Sequence, residues 1–405
     1  MKHKGTKKTI KLGNKLIGWG QPCFIVAEAG ANHDGDFEKA KMLIDAAAAV
    51  NADSIKFQHY LADKLASREA KRYWVVRGDE PGFQFDPNNY KDDQVDTFKK
   101  IDGIPRHRDS ELFDYADKKG LLMFSTPFDF ESVDHLDSLG IQMYKIASGD
   151  LTYHQLLDYV ARKGKPVVLS TGAADMDEIR AAVDVIKKAG NNQIILLHCT
   201  LAYTTPLENA NLLMIRNLQE EFPDELIGFS DHTPGIEADI AAALLGAVMI
   251  EKHFTHTPGA AVGENRVGDS PDHDIGIGSA AFEEKIKRIR EHEGKNLSVR
   301  LGLDFEKALE MISELGIEKT LGSHQIKQVD SKVELKARLQ ARRSVVTEVP
   351  LKKGETLTQK FINAGNLSFK RPGTGIPPYE ICKLAGKKLN RDLSADAVLK
   401  WEYFK

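Results

Sequence analysis

Short apolar runs alternate with longer segments of mixed polarity along most of the chain. The apolar runs are FIVAEAG (24–30), SIKFQHY (54–60), LMFSTPF (122–128), QMYKIAS (142–148), PVVLSTG (166–172), QIILLHC (193–199), LIGFSDH (226–232) and VMIEKHF (248–254). Their length and richness in Val, Ile and Phe predict buried strands. Between them lie FEKAKMLIDAAAAVNA, ESVDHLDSLG, MDEIRAAVDVIKKAG and GIEADIAAALLGA. These carry apolar residues at i, i+3 and i+4 and close on Gly or Asn, which predicts amphipathic helices.

Strands alternating with helices imply a parallel sheet. Eight such units close a (β/α)₈ barrel of the TIM type, an α/β fold; an open doubly wound sheet is the competing arrangement. In a barrel, reactive side chains gather where strands end, on the C-terminal face. The polar residues at those ends are Glu28 and Asn32; Lys56 and Gln58; Ser125 and Thr126; Lys145, Ser148 and Asp150; Ser170 and Thr171; His198 and Tyr203; Ser230, Asp231 and His232; Glu251, Lys252 and His253.

Two regions break the repeat. Residues 61–110 are long, charged and aromatic, and follow the second strand, so they form either a lid or a peripheral helical insertion. Past residue 295 the pattern changes to a helical linker over about 296–340. A module of short strands and Gly/Pro turns then fills 341–405, leaving 1–295 for the barrel.

Bulk composition narrows the function classes. The 405 residues are 41% hydrophobic and 28% charged, with a formal net charge of −3 spread over both signs. Nothing there suggests a nucleic-acid or membrane partner. The basic N-terminus lacks an apolar core and does not read as a signal peptide, and no apolar run is long enough to span a membrane. Cys23, Cys199 and Cys382 are far apart and odd in number, consistent with a reducing cytoplasm.

The strand ends suggest two binding functions. Lys145 with Ser148, Ser170 and Ser230 would offer charge and directed donors to a phosphate or carboxylate; singly, such serines are ordinary turn and cap residues. His232 and His253 leave adjacent strands at corresponding points. They are either structural imidazoles or a pair suited to a divalent transition metal, with Glu28 on the neighbouring first strand as a further ligand.

The ordered motifs FIVAEAGANHDG, IKFQ, FSTPFD, YKIASGD, VVLSTG, LLHCT, GFSDHTPG, EKHF and SPDH closely resemble those of the sialic acid synthase family. The C-terminal RRSVV, KKGE and KRPGTGI resemble its antifreeze-like SAF domain, a β-clip fold. The resemblance implies an enzyme, an N-acetylneuraminate synthase-like transferase. It would condense phosphoenolpyruvate with an N-acetylmannosamine-like amino sugar to give a nine-carbon 2-keto acid and phosphate.

Carried over by motif, His232 and His253 would hold a divalent metal, usually Mn²⁺, with Mg²⁺ or Co²⁺ as substitutes. Glu28 would sit beside the metal and its water. Lys56, Thr126, Lys145, Ser148, Ser170 and Ser230 would bind phosphoenolpyruvate. Gln58, Asp150, Tyr203 and Asp272 would face the sugar, Asp150 with a catalytic part. Arg371 would reach the N-acetyl group from the partner subunit of a domain-swapped homodimer. Two positions depart from the family pattern: Leu201 stands where Asn is frequent, and Asp150 where Glu is. A legionaminic or pseudaminic acid synthase, an enzyme using a 6-phosphorylated sugar, and a non-catalytic sugar-binding protein are the alternatives on this fold.

Overall fold

The computed structural model describes residues 8–74, 94–101, 104–257, 272, 275–295 and 304–405. The chain begins with an antiparallel hairpin, β1 (Thr9–Leu12) and β2 (Lys15–Gly18), that the apolar pattern did not single out. Its Ile10, Leu12 and Ile17 are buried in the main core. Lys8 Nζ donates to the carbonyls of Asn192 and Asp224, just ahead of two barrel strands, so the hairpin covers the N-terminal end of the barrel.

The barrel strands are β3 (Phe24–Gly30), β4 (Ser54–His59), β5 (Leu122–Pro127), β6 (Tyr144–Ile146), β7 (Val167–Ser170), β8 (Ile194–Cys199), β9 (Leu226–Asp231) and β10 (Met249–Thr255). Each pairs in parallel with the next, β10 pairs with both β9 and β3, which closes the sheet, and a short β11 (Ile277–Gly278) runs parallel to the end of β10. The closed barrel excludes the open doubly wound arrangement. The strands are buried on both faces because side chains fill the interior and helices cover the outside. In β8 all six residues of IILLHC are buried.

The helices are α1 (Phe37–Ala49), α2 (Ala62–Leu65), α3 (Gln94–Ile101), α4 (Asp109–Lys118), α5 (Phe130–Ser138), α6 (His154–Ala161), α7 (Met176–Lys188), α8 (Leu213–Glu221), α9 (Glu237–Leu244) and α10 (Ser279–Lys295). α7 shows why these segments are helical. Asp175 and Glu178 form a capping box at its start, and Ile179, Ala182, Val183 and Ile186 make the buried stripe. Each such Ile contributes about 1.5–3 kcal/mol by leaving water.

Beyond α10, the helix Phe305–Glu314 buries Ala308 and Ile312 in the barrel core, and the helix Leu335–Ala341 lies over the rim. The Glu334 carboxylate accepts from the amides of Ala173, Leu201 and Asp330, tying this connection to the ends of β7 and β8. The C-terminal module follows with β12 (Ser344–Thr347) antiparallel to β13 (Leu367–Lys370). It has its own small core, including Val345, Leu351, Leu357, Ile376 and Leu399.

Candidate active site

Strand register brings the charged groups together. Glu28 on β3 pairs with Lys56 on β4 and with His253 on β10, and Glu251 on β10 pairs with Ser230 on β9. Lys56 Nζ forms a close ion pair with Glu28, donates to Thr126 Oγ1 at 3.1 Å and stands 3.8 Å from Glu251. Lys145 Nζ donates to Glu251 Oε1 at 2.5 Å, and Ser230 Oγ donates to the same oxygen at 3.1 Å. Gln58 Nε2 donates to Glu28 Oε1 at 2.9 Å and to Asp272 Oδ2 at 3.3 Å. Gly30 makes this approach possible. Its φ is +54°, and a Cβ there would lie 2.0 Å from Asp272 Oδ2.

Two buried carboxylates among two lysines are driven apart in acidity. Burial, helped by Glu251 and Asp272 and opposed by Lys56, lifts Glu28 to about 7. Burial also acts on Glu251, but Lys145 and Lys56 outweigh it and hold that group down at about 2. Burial depresses Lys145, whereas Glu251 and Glu28 outweigh burial at Lys56 and raise it.

His232 Nδ1 lies 3.0 Å from the Thr200 carbonyl, which can only accept, so this nitrogen carries a proton and Nε2 is the one that a ligand would meet. Tyr203 stacks on the His232 ring with centroids 4.6 Å apart. The His253 ring centroid is 5.4 Å from that of His232, and His253 Nδ1 is buried without a hydrogen-bond partner. Burial, with His232 and the lysines, holds His253 well below its ordinary value, so its lone pair is available. Burial disfavours charge on His232, but Cys199, the Thr200 carbonyl and Asp231 raise it to about 9, so a metal would displace a proton there. Glu28, His253 and Asp272 offer ligand atoms within 4.8 Å of one another. That group, one imidazole facing two carboxylates, fits a divalent metal, and His232 stands outside it with its ring beside that of His253.

These groups line one cavity of about 850 Å³. Of the residues expected from sequence, Glu28, Lys56, Gln58, Thr126, Lys145, Ser148, Ser170, Tyr203, Ser230, His232, His253, Asp272 and Arg371 all line it. Ser170 Oγ is buried without a partner, as a donor awaiting a ligand would be. Ser148 Oγ accepts from the Gly172 amide at 3.0 Å.

Asp150 does not join them. Arg343, fully buried, donates from Nε to Asp150 Oδ1 at 2.6 Å and from Nη2 to Oδ2 at 3.3 Å. Its carboxylate neutralises the arginine that anchors β12, and Asp150 is not among the residues lining the cavity. Arg371 lines the cavity of the chain that carries it. β13 lies beside α2: the Arg371 amide donates to the Leu65 carbonyl at 3.0 Å, and the Ser67 amide donates to the Arg371 carbonyl at 2.9 Å. Its guanidinium sits 5.5 Å from the ring centroids of both Phe98 and Phe128.

The described parts of segment 61–110 supply wall. Leu65, Tyr73, Trp74, Phe98 and Ile101 line the cavity together with Tyr60 and Phe128. Residues 75–93 and 102–103 of that expectation lie outside the described residues. Leu201, the departure from Asn, packs with Ala173, Ala337 and Ala341, so it joins the rim to the connecting helix. Two functional groups carried no role in the sequence reading. Glu251 was visible as an acid inside the apolar run VMIEKHF, a signal of a buried ion pair. Arg343 gave no signal, because its partner is 193 residues away.

The NeuB family model matches residues 43–297, and the SAF domain model matches 342–405. The chain is 32% identical to the N,N'-diacetyllegionaminic acid synthase of Legionella pneumophila, over 98% of this chain and 99% of that one. The crystal structure of the spore coat polysaccharide biosynthesis protein SpsE of Bacillus subtilis superposes with a TM-score of 0.74, 32% identity and coverage of 98% and 99%. A sialic acid synthetase from Leptospira borgpetersenii, in complex with citrate, gives a TM-score of 0.60 at 30% identity, covering 78% of this chain and 97% of that one.

Proposed function

Because this chain belongs to the NeuB family, we propose that it condenses phosphoenolpyruvate with an open-chain N-acylated amino sugar, giving a nine-carbon 2-keto acid and phosphate. The observation that carries this reading is the buried cluster of Lys56 and Lys145 with Thr126, Ser170 and Ser230 at the floor of the cavity. Such a cluster suits a small polyanion in a water-poor site, where charge acts strongly. The lysines and hydroxyls hold the phosphate and carboxylate of phosphoenolpyruvate, and the anion competes with Glu251 for Lys145.

His232 and His253, with Glu28 or Asp272 beside them, would hold a divalent metal. When bound, it supplies Lewis-acid polarisation of the acceptor aldehyde. The enol carbon attacks that aldehyde and forms the new C–C bond. Water then adds at the phosphate-bearing carbon, the bond from that carbon to the phosphate oxygen breaks, and phosphate leaves. Glu28, poised near neutrality, takes the proton of that water. Gln58, Tyr203 and Arg371 position the sugar.

The outer wall favours an unphosphorylated acceptor with apolar substituents. Beyond the two floor lysines, Arg371 is the only lysine or arginine lining the cavity among the described residues, and the surrounding wall is Tyr60, Leu65, Trp74, Phe98 and Phe128. A legionaminic-type diacylated deoxy sugar fits such a wall better than a sugar 6-phosphate does. Phosphate release measured across N-acetylmannosamine, its 6-phosphate and diacetamido-trideoxy sugars tests this. Turnover confined to the 6-phosphate would overturn the acceptor assignment, and no turnover with any of them would leave a binding protein.

A further inference from the structure

Outside the cavity, His59 at the end of β4, Asp109 at the start of α4 and His135 on α5 place their side chains within 4.8 Å of one another at the ligand atoms. His59 Nε2 is 3.2 Å and His135 Nε2 is 2.6 Å from the same oxygen, Asp109 Oδ2. We propose that these three residues form a second cation site, for a divalent transition ion of the zinc type, separate from the barrel cavity.

Ser125 fixes the chemistry of His59. The Ser125 hydroxyl has one proton, and it donates that proton to the Phe57 carbonyl at 2.9 Å. With its proton on the Phe57 carbonyl, Ser125 Oγ accepts at 2.7 Å from His59 Nδ1, which carries the hydrogen in this arrangement. The lone pair of a neutral His59 then sits on Nε2 and points at a carboxylate oxygen. Two lone pairs face each other, and a cation has to lie between them. A proton meets that need, giving a charged His–Asp–His triad; a metal ion meets it with ordinary bond lengths. Two donors on one tetrahedral zinc ion stand about 3.3 Å apart. The His59–Asp109 separation already matches. His135 has to withdraw by several tenths of an ångström, and it is the most exposed of the three, at 19% of its side chain.

The surroundings suit a bound ion. Asp109 and His59 line a cavity of about 430 Å³ with Gln58, Tyr60, His33 and Arg106, leaving room for water as a further ligand. Arg106, the nearby cation, donates to Ser132 Oγ at 2.8 Å. His33 Nδ1 accepts from the Gly35 amide at 3.0 Å. Two imidazoles and one carboxylate select zinc, cobalt or nickel over magnesium or calcium. An ion there would tie the end of β4, which carries Lys56 and Gln58, to α4 and α5.

The test uses full-length, chelator-stripped protein and Co²⁺ alone as the probe. The His232→Ala/His253→Ala protein is expected to take up one equivalent of Co²⁺ with visible d–d absorption, and wild type two. Adding His59→Gln or His135→Gln should reduce uptake in the double variant from one equivalent to none. Ser125→Ala, which removes only the group orienting His59, should weaken uptake by about 10–100-fold. Circular dichroism confirms that each variant is folded. If instead the barrel histidines hold no metal, wild type binds one equivalent that His59→Gln removes and His232→Ala leaves, which keeps the two proposals distinguishable. A folded double variant that takes up no Co²⁺, or uptake unchanged by His59→Gln and His135→Gln, overturns the second site and leaves the proton-bridged triad.

Discussion

Lys145 Nζ donates to Glu251 Oε1 at 2.5 Å, and both side chains are buried on the cavity floor. Removing one partner of a buried pair leaves the other charge uncompensated, which costs about 3–5 kcal/mol. Lys145→Ala is expected to lower kcat/KM for phosphoenolpyruvate by at least about a hundredfold, with the acceptor KM nearly unchanged. Steady-state kinetics with each substrate varied in turn decides it; a change confined to the acceptor KM would remove Lys145 from the phosphate site.

Asp150 and Arg343 form the corresponding pair between the barrel and the C-terminal module. Arg343 also donates to the carbonyls of Lys64, Leu65, Phe128 and Phe369, so it joins four segments. Asp150→Ala should therefore lower the melting temperature and speed proteolytic release of the module. Thermal melts and limited proteolysis check this. A stable protein whose only defect is acceptor KM would restore Asp150 to the sugar site.

Arg371→Ala should raise the acceptor KM by tenfold or more, because Arg371 Nε is buried without a partner and faces the cavity between Phe98 and Phe128. Arg371→Lys should not rescue it, since an ammonium cannot reproduce a planar guanidinium between two rings. Within the chain described, Arg371 lines its own cavity. A mixture of inactive Arg371→Ala and Lys145→Ala proteins is then expected to stay inactive. Activity regained on mixing would place Arg371 in a partner's site.

His232→Ala or His253→Ala is expected to abolish turnover while the melting temperature stays within a few degrees, because these residues occupy the reactive face and not the packed core. Chelator should reproduce the loss in wild type, and Mn²⁺ should reverse it. Full activity in metal-free enzyme would contradict the assignment.

The barrel was legible because its signals are local. Eight apolar runs and the helices between them appear in the chain order that the structure shows, and the strand-end rule picked out Glu28, Lys56, Lys145, Ser230, His232 and His253. The misses are non-local. Asp150 stands at a strand end like the others, yet its carboxylate pairs with Arg343, 193 residues along the chain, which no local pattern announces. The β1–β2 hairpin is short and lies in a lysine-rich stretch, so its few buried residues gave too weak an alternation. The segment 61–110 reads as aromatic, but the place of its Tyr73 and Trp74 on the wall depends on contacts with Tyr203 and Phe98.

Condensation in this cavity is tested most directly by its stoichiometry. Wild-type protein with Mn²⁺, phosphoenolpyruvate and a diacetamido-trideoxy sugar or N-acetylmannosamine should release one phosphate for each nine-carbon 2-keto acid formed. Neither substrate alone should release phosphate, and Lys145→Ala and His253→Ala should lose both products together. Phosphate released without the sugar, or no 2-keto acid with any acceptor while both substrates bind, would contradict the proposed function.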